Sequence, residues 1–142
     1  AGLFSNANDL GVMMQMYLNG GSYGGDRFFS QEVIDNFTKC QFCEDDNRRG
    51  AGFDKPLTDG SEGPSCGCTS LDAFGHQGFT GTVTWADPEE KVVYVFLSNR
   101  VYPDANNKKL LELNVRTEIQ KAFYKAIEKG KDLAVGNQSS ID

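Results

Sequence analysis

The run Lys91–Leu97, with the sequence KVVYVFL, constrains the fold of this chain more than any other segment. Its apolar residues do not alternate with polar ones, which predicts a β-strand with both faces covered. Two shorter segments with strand composition precede it, Ala73–Phe79 and Thr82–Trp85. A turn at Gly81 and another at Asp87–Glu90 separate the three segments. Three strands joined by short turns indicate an antiparallel meander.

Helical patterns flank these strands, which indicates an α+β fold with helices packed on the sheet. Ser5 is a candidate N-cap for a first helix that ends at Asn19–Gly21, and Ser30 for a brief second helix. A last helix is expected to end at Gly130, before a polar tail at 131–142 that is expected to be disordered. The positions expected to face the core are Leu10, Met13, Met14, Tyr17 and Leu18 in the first helix, Val33, Ile34 and Phe37 in the second, and Val115, Ile119, Ala122, Phe123, Ala126 and Ile127 in the last.

Length and charge narrow the classes of partner. A chain of 142 residues suits one domain with a single core, here taken as residues 1–142. With 14 basic and 20 acidic residues the net charge is −6, and no Lys/Arg run could follow a phosphate backbone, so nucleic acid is not expected as a partner. The longest apolar stretch, Val92–Leu97, is too short to span a bilayer. Neither a basic n-region nor an apolar h-region of a secretory signal opens the sequence.

All four cysteines lie in residues 40–72, a Gly-, Asp-, Ser- and Pro-rich stretch that is expected to lack regular structure. Such a long irregular segment is more often a functional surface than a neutral linker. Cys40 and Cys43 form a C-x2-C pair, and Cys66 and Cys68 form a tighter C-x-C pair. Four thiolates, or three with His76, could hold zinc, but disulfides or free thiols fit this spacing better. Four cysteines allow three pairings, and the sequence does not choose among them.

The only histidine of the chain, His76, lies in Phe74–Gly81, the glycine-rich sequence FGHQGFTG. In strand geometry His76 and Gly78 share one face, so the imidazole stands beside a bare stretch of backbone. The glycines leave room for another molecule or for another part of the backbone. Such an edge could present main-chain N–H groups to an oxyanion. The pattern alone favours a simpler interpretation, a surface strand with a solvated histidine.

A family resemblance favours the first interpretation. His76-Gln77-Gly78 stands where the serine β-lactamase, penicillin-binding protein and esterase superfamily places Lys-Thr-Gly or His-Thr-Gly, on the strand that lines the active site. Gln77 departs from the threonine of that pattern. The segments that resemble the C-terminal part of these proteins are Gly2–Ser5, Asn8–Leu10, Arg49–Phe53, Phe74–Gly81, Trp85–Pro88, Val92–Asn99 and Arg100–Pro103.

The resemblance implies a role for several residues around the histidine. The backbone N–H of Phe79, which follows Gly78, would be one of two oxyanion donors. His76 would hold the polar end of the substrate or hydrogen-bond the family tyrosine, which these residues do not provide. Gln77 and Thr80 would contact the substrate. The implied reaction is acyl transfer or hydrolysis of a β-lactam, a D-Ala-D-Ala peptide or an ester, with no cofactor, in the periplasm or cell envelope.

The family nucleophile lies in Ser-x-x-Lys, and no serine of these 142 residues has a lysine three positions later. Tyr17-Leu18-Asn19 matches the family pattern Tyr-x-Asn, but it lies in an amphipathic helix and is interpreted as part of that helix. The chain is therefore expected to be the C-terminal part of a serine hydrolase domain, inactive alone. The alternative is a non-catalytic binding module stabilised by zinc or disulfides.

The resemblance also predicts an open sheet edge. The family sheet has five strands, and the two formed near the start of its domain are not represented in this chain. The strand at Val92–Leu97 would then have an unpaired edge, which could pair with a second copy to form a homodimer.

Overall fold

The computed structural model describes residues 2–43 and 47–138, and it confirms an α+β architecture. Helices and short strands follow one another along the chain, with irregular structure at residues 39–43 and 47–73. The elements are α1 Ala7–Leu18, β1 Ser22–Tyr23, β2 Asp26–Arg27, α2 Gln31–Thr38, β3 Phe74–Gln77, β4 Val83–Asp87, β5 Val92–Phe96, α3 Lys109–Glu112 and α4 Val115–Gln138. None of the described helices is both long enough and apolar enough to cross a membrane.

Strands β3, β4 and β5 form the predicted antiparallel meander, with β4 in the centre. His76 of β3 lies opposite Thr84 of β4, which in turn lies opposite Val95 of β5. Because side chains alternate between the two faces of a sheet, this row shares its face with Phe74 and Ala86. The register thus determines which helix each strand residue meets.

Helix α1 covers part of the face that bears His76. Met14 is fully buried and packs in one cluster with Phe74 and Ala86. The ring of Tyr17 lies 5.3 Å, centroid to centroid, from that of Phe53, which confirms its place in the helix packing. The helix N-cap is Asn6, whose side chain accepts a hydrogen bond from the Asp9 N–H at 3.0 Å. The expected cap, Ser5, was therefore wrong by one residue.

Helix α4 lies against the opposite face, where Trp85 and Tyr94 are buried. The residues through which it packs are not the ones that the apolar pattern predicted. The Tyr94 hydroxyl donates a hydrogen bond to the Arg116 carbonyl at 2.8 Å. Two polar residues of the helix, Gln120 and Tyr124, are buried instead of the predicted apolar stripe. Within that stripe, Ile119 is 44% and Phe123 41% exposed.

The reason for this difference is that both buried polar side chains of α4 have tertiary partners. The Oε1 atom of Gln120 accepts a hydrogen bond from the Cys66 N–H at 3.0 Å, and the Tyr124 hydroxyl donates to Asp87 at 2.8 Å. A buried polar group is tolerated where such a bond is made.

Three further expectations are corrected by the structure. In α2 only Ile34 is buried, whereas Val33 and Phe37 are exposed, because this helix packs through a single position. Strand β5 does not have both faces fully covered, since among its residues only Tyr94 is buried. Helix α4 continues past Gly130 to Gln138, so an isolated glycine did not end it. The last four positions, 139–142, lie outside the described residues.

Within the described chain, β5 pairs only with β4, which leaves its outer edge available for self-association. We predict concentration-dependent dimers through this edge, measurable by sedimentation velocity. Val95→Lys places a charge on the edge strand and should weaken association about tenfold, which corresponds to about 1.4 kcal/mol. Val33→Lys, on the exposed face of α2, is the matched control and should leave it unchanged. A wild-type chain that stays monomeric at high concentration would contradict the prediction.

A buried carboxylate connects the sheet, the cysteine-containing segment and α4. Asp87, at the end of β4, accepts hydrogen bonds from the Ser70 hydroxyl at 2.7 Å and from the Ser70 N–H at 2.9 Å. The Tyr124 hydroxyl donates to the same carboxylate. Burial acts to raise the pKa of Asp87, but these hydrogen bonds together hold it below its ordinary value. The charged form is therefore the one that the fold stabilises.

The hydrogen bond between Tyr124 and Asp87 should be measurable as stability. Burial and the bond to Asp87 raise the pKa of Tyr124, so the hydroxyl stays protonated and remains a donor at neutral pH. Tyr124→Phe removes this donor and should lower the free energy of unfolding by about 1.5–3 kcal/mol, the range for hydrogen bonds to charged groups. Tyr102→Phe, at an exposed tyrosine, is the control and should cost nothing measurable in urea denaturation.

Asp87 should also produce a pH dependence of stability. Because its pKa is lowered in the fold, its contribution is present above the ordinary Asp value of about 3.9 and is lost as the pH falls through the lowered pKa. The stability difference between the wild type and Asp87→Asn should be largest at neutral pH and shrink in acid. A difference that stays constant from pH 7 to pH 2 would refute this assignment.

Candidate active site

An open cavity of about 720 Å³ lies at the end of the meander where β3 and β5 finish. Three of the predicted site residues line it: His76, Gly78 and Thr80. The opening segment of the chain and the end of β5 supply most of the remaining wall. The other lining residues are Leu3, Phe4, Ser5, Leu10, Thr82, Val83, Thr84, Leu97, Ser98 and Asn99.

His76 is exposed, and it stands on the part of the sheet face that α1 leaves uncovered. Met14 of α1 packs on Phe74 and Ala86, which form the cross-strand pair next to His76 and Thr84 on the same face of the sheet. The next pair on this face, His76 and Thr84, borders the cavity instead. The ring nitrogen Nδ1 of His76 lies 2.8 Å from the Gln77 carbonyl oxygen. The histidine is therefore accessible and has a defined contact on its own strand.

The three glycines around His76 make room for other parts of the same chain. A Cβ on Gly75 would lie 2.6 Å from a ring atom of Trp85, and one on Gly78 would lie 2.2 Å from Thr82 Oγ1. Gly81 has a φ of +91° and faces Ser98, whose Oγ would lie 2.6 Å from an added Cβ. Close approach within the fold thus accounts for each of these positions, and Gly78 in addition leaves the cavity wall bare.

Along the outer edge of β3, the backbone groups that do not pair with β4 face away from the sheet. The outward-facing N–H and carbonyl of Gly75 are both bonded to Asp54, whose N–H donates to the Gly75 carbonyl at 2.7 Å. The Gly78 N–H points inward and donates to the Thr82 carbonyl at 2.8 Å. Phe79 follows as the second residue of a turn that is closed by the hydrogen bond from the Gly81 N–H to the Gly78 carbonyl at 2.9 Å. No described residue accepts a hydrogen bond from the Phe79 N–H, and the two residues that flank Phe79, Gly78 and Thr80, line the cavity.

The turn that follows Phe79 is attached to the end of β5. The Thr80 carbonyl accepts hydrogen bonds from the Arg100 N–H at 2.9 Å and from Ser98 Oγ at 3.0 Å. The Phe79 ring is 78% exposed, and the Arg100 guanidinium carbon lies 4.7 Å from its centroid. Sequence reasoning did not select Ser98 and Asn99 as site residues. The available signal was topological, because in a meander the third strand ends beside the turn that joins the first two.

Two of the predicted site residues, Gln77 and Phe79, are not among those that line the cavity. The Gln77 side chain projects to the opposite face of the sheet, where Nε2 donates to the Pro64 carbonyl at 2.8 Å. The indole N–H of Trp85 donates to the same oxygen at 3.1 Å. This position therefore connects β3 to the cysteine-containing segment.

The four cysteines form two local disulfides, Cys40–Cys43 and Cys66–Cys68. Disulfides were one of the alternatives that the sequence left open. Cys66 is buried, and its N–H is bonded to Gln120 of α4, so the second disulfide lies in the packed region between the sheet and the last helix. Among the described residues, no group of three or more His, Cys, Asp or Glu side chains is placed to hold a metal ion.

The α+β fold, with helices on both faces of an antiparallel meander and an exposed histidine on its first strand, agrees with part of a β-lactamase-like fold. The sequence model of the Beta-lactamase family matches residues 1–117, and the chain belongs to this family.

Two similar proteins both carry the name "Putative D-alanyl-D-alanine carboxypeptidase". The one from Escherichia coli O157:H7 is 41% identical over 101 residues, which is 70% of this chain and 23% of the relative. The one from Salmonella enteritidis PT4 is 36% identical over 111 residues, 78% of this chain and 25% of the relative. The aligned region thus spans about a quarter of the length of each relative.

Proposed function

We propose that this chain supplies one wall of the active site of a serine acyl hydrolase. The observation that carries the proposal is that His76 lines one open cavity at the end of the sheet, and that the unbonded N–H of Phe79 lies between two other lining residues, Gly78 and Thr80. The nucleophile would come from a Ser-x-x-Lys motif in a part of the protein that precedes Ala1, since none of the 142 residues provides one. These residues by themselves would then be inactive.

In this reaction the serine oxygen attacks the substrate carbonyl carbon, and the lysine helps to take the serine proton. The carbonyl oxygen becomes an oxyanion, which accepts hydrogen bonds from the Phe79 N–H and from the N–H of the serine. Collapse of this intermediate breaks the bond to the leaving group, which receives a proton, and leaves an acyl-enzyme. Water then hydrolyses the acyl-enzyme and restores the serine. His76 would contact a polar group of the substrate throughout.

The names of the relatives support a peptide that ends in D-Ala-D-Ala as the substrate. β-Lactams and esters present a carbonyl to the same nucleophile and are therefore suitable test substrates. Peptides of this type belong to the cell wall, so we place the activity in the cell envelope. Thr80 and Ser98, which border the cavity and are connected by a hydrogen bond, would form the wall beside the acyl group.

The absence of the nucleophile motif from these residues gives a direct prediction. The 142-residue chain should not turn over a chromogenic cephalosporin or a nitrophenyl ester above the rate in buffer. The full-length gene product should contain Ser-x-x-Lys upstream and should hydrolyse at least one of the two or release D-alanine from a D-Ala-D-Ala peptide. Turnover by the isolated chain, or a full-length product without that motif, would overturn the proposal.

The role of the Phe79 N–H can be tested in the full-length protein. Phe79→Pro removes the N–H and should lower kcat about 10²–10³-fold, the usual loss of one oxyanion donor. Phe79→Ala keeps the N–H, removes the exposed ring over Arg100 and should lower kcat far less. Equal losses in the two variants would show that the side chain, and not the N–H, matters.

A further inference from the structure

Gln77, which departs from the family pattern, makes contacts in two directions. Its backbone carbonyl lies 2.8 Å from His76 Nδ1 at the outer edge of β3. Its side chain donates to the Pro64 carbonyl at 2.8 Å on the far face of the sheet. One residue thus connects the imidazole beside the cavity to the segment that holds the Cys66–Cys68 disulfide.

The contact with the carbonyl decides which ring nitrogen of His76 carries the proton in the neutral state. A carbonyl oxygen can only accept a hydrogen bond, so Nδ1 must donate, and the neutral ring is then the Nδ1–H tautomer. Its second nitrogen, Nε2, carries a lone pair, and no described residue donates to it. Nε2 is therefore available as a hydrogen-bond acceptor.

The segment that holds the Gln77 side chain is itself well anchored. Pro64 is buried, and its carbonyl also accepts the Trp85 indole N–H at 3.1 Å. Two residues further on, the Cys66 N–H is bonded to Gln120 of α4 at 3.0 Å. The Pro64 oxygen is thus a fixed point to which the Gln77 side chain holds this stretch of β3.

We propose that Gln77 is a positioning residue that holds neutral His76 as the Nδ1–H tautomer, with Nε2 presented to the cavity as an acceptor. The side-chain bond to Pro64 keeps the Gln77 carbonyl in the orientation that the imidazole requires. A threonine, the residue of the family pattern, is too short to make the same bond across the sheet.

For the proposed function this inference specifies the substrate group that meets His76. A lysine at this position could only donate hydrogen bonds, whereas an imidazole with a free Nε2 accepts one from an N–H or O–H of the substrate. This consequence rests on the proposed function. The tautomer itself is a property of the 142-residue chain and can be measured without any activity.

The test is ¹⁵N NMR of the single histidine, at a pH where its own titration shows the ring to be neutral. In the wild type, Nδ1 should show the shift of a protonated ring nitrogen and Nε2 that of an unprotonated one. Gln77→Met keeps the length of the side chain but removes the donor, and it should reduce the Nδ1–H to Nε2–H ratio about fivefold, the effect of one ordinary hydrogen bond. Gln77→Lys restores a donor and should recover much of the ratio.

Gln31→Met, at an exposed glutamine of α2, is the matched control and should leave the ratio unchanged. A wild-type ring in the Nε2–H form would overturn the proposal, and this measurement does not depend on whether any variant folds. An unchanged ratio in a folded Gln77→Met, verified by circular dichroism, would also overturn it. A confirmed tautomer in a protein that proves to lack Ser-x-x-Lys would refute the proposed function while leaving the role of Gln77 intact.

Discussion

The contact between Trp85 and Gly75 is the interaction on which the rest of this structure depends. The indole ring lies in the space that the neighbouring strand leaves empty, and a Cβ at that position would meet it at 2.6 Å. The same indole donates its N–H to Pro64, so the central strand holds both the edge strand and the irregular segment. Because Trp85 is almost completely buried, any shift of register between β3 and β4 would lose this packing. The position of His76 follows from that register.

The face of the sheet that bears His76 is divided between packing and exposure. Helix α1 packs over Phe74 and Ala86, and its coverage ends before His76 and Thr84. An exposed imidazole and a bare glycine therefore meet at one open end of the sheet, while the opposite face is closed by α4 and the Asp87 hydrogen bonds. The fold thus separates the part that supplies stability from the part that is available for chemistry. This separation is why a rigid sheet can present an accessible site.

Patterns among residues close in sequence correctly predicted the meander, its turns and the N-cap of α2. The short strands, the turns at Gly81 and Asp87–Glu90 and the Ser30 cap depend on residues close in sequence, and local propensity is enough to find them. The inward face of α4 was predicted wrongly for the opposite reason. Gln120 and Tyr124 are buried where distant groups bond them: Cys66 donates to the Gln120 Oε1 atom, and Asp87 accepts from the Tyr124 hydroxyl. The Gln120 Nε2 atom has no partner among the described residues. No periodicity of apolar residues contains that information.

The sequence by itself determined the fold class, the strand that carries the only histidine and, through the order of its motifs, the family. The tertiary structure alone decided which residues meet. It turned Gln77 away from the cavity toward Pro64, brought Ser98 beside Thr80 and left the Phe79 N–H without a described partner. The physical reason is that each of these outcomes is a long-range hydrogen bond, or the lack of one. Its partners are set by sheet register and packing, not by neighbours along the chain.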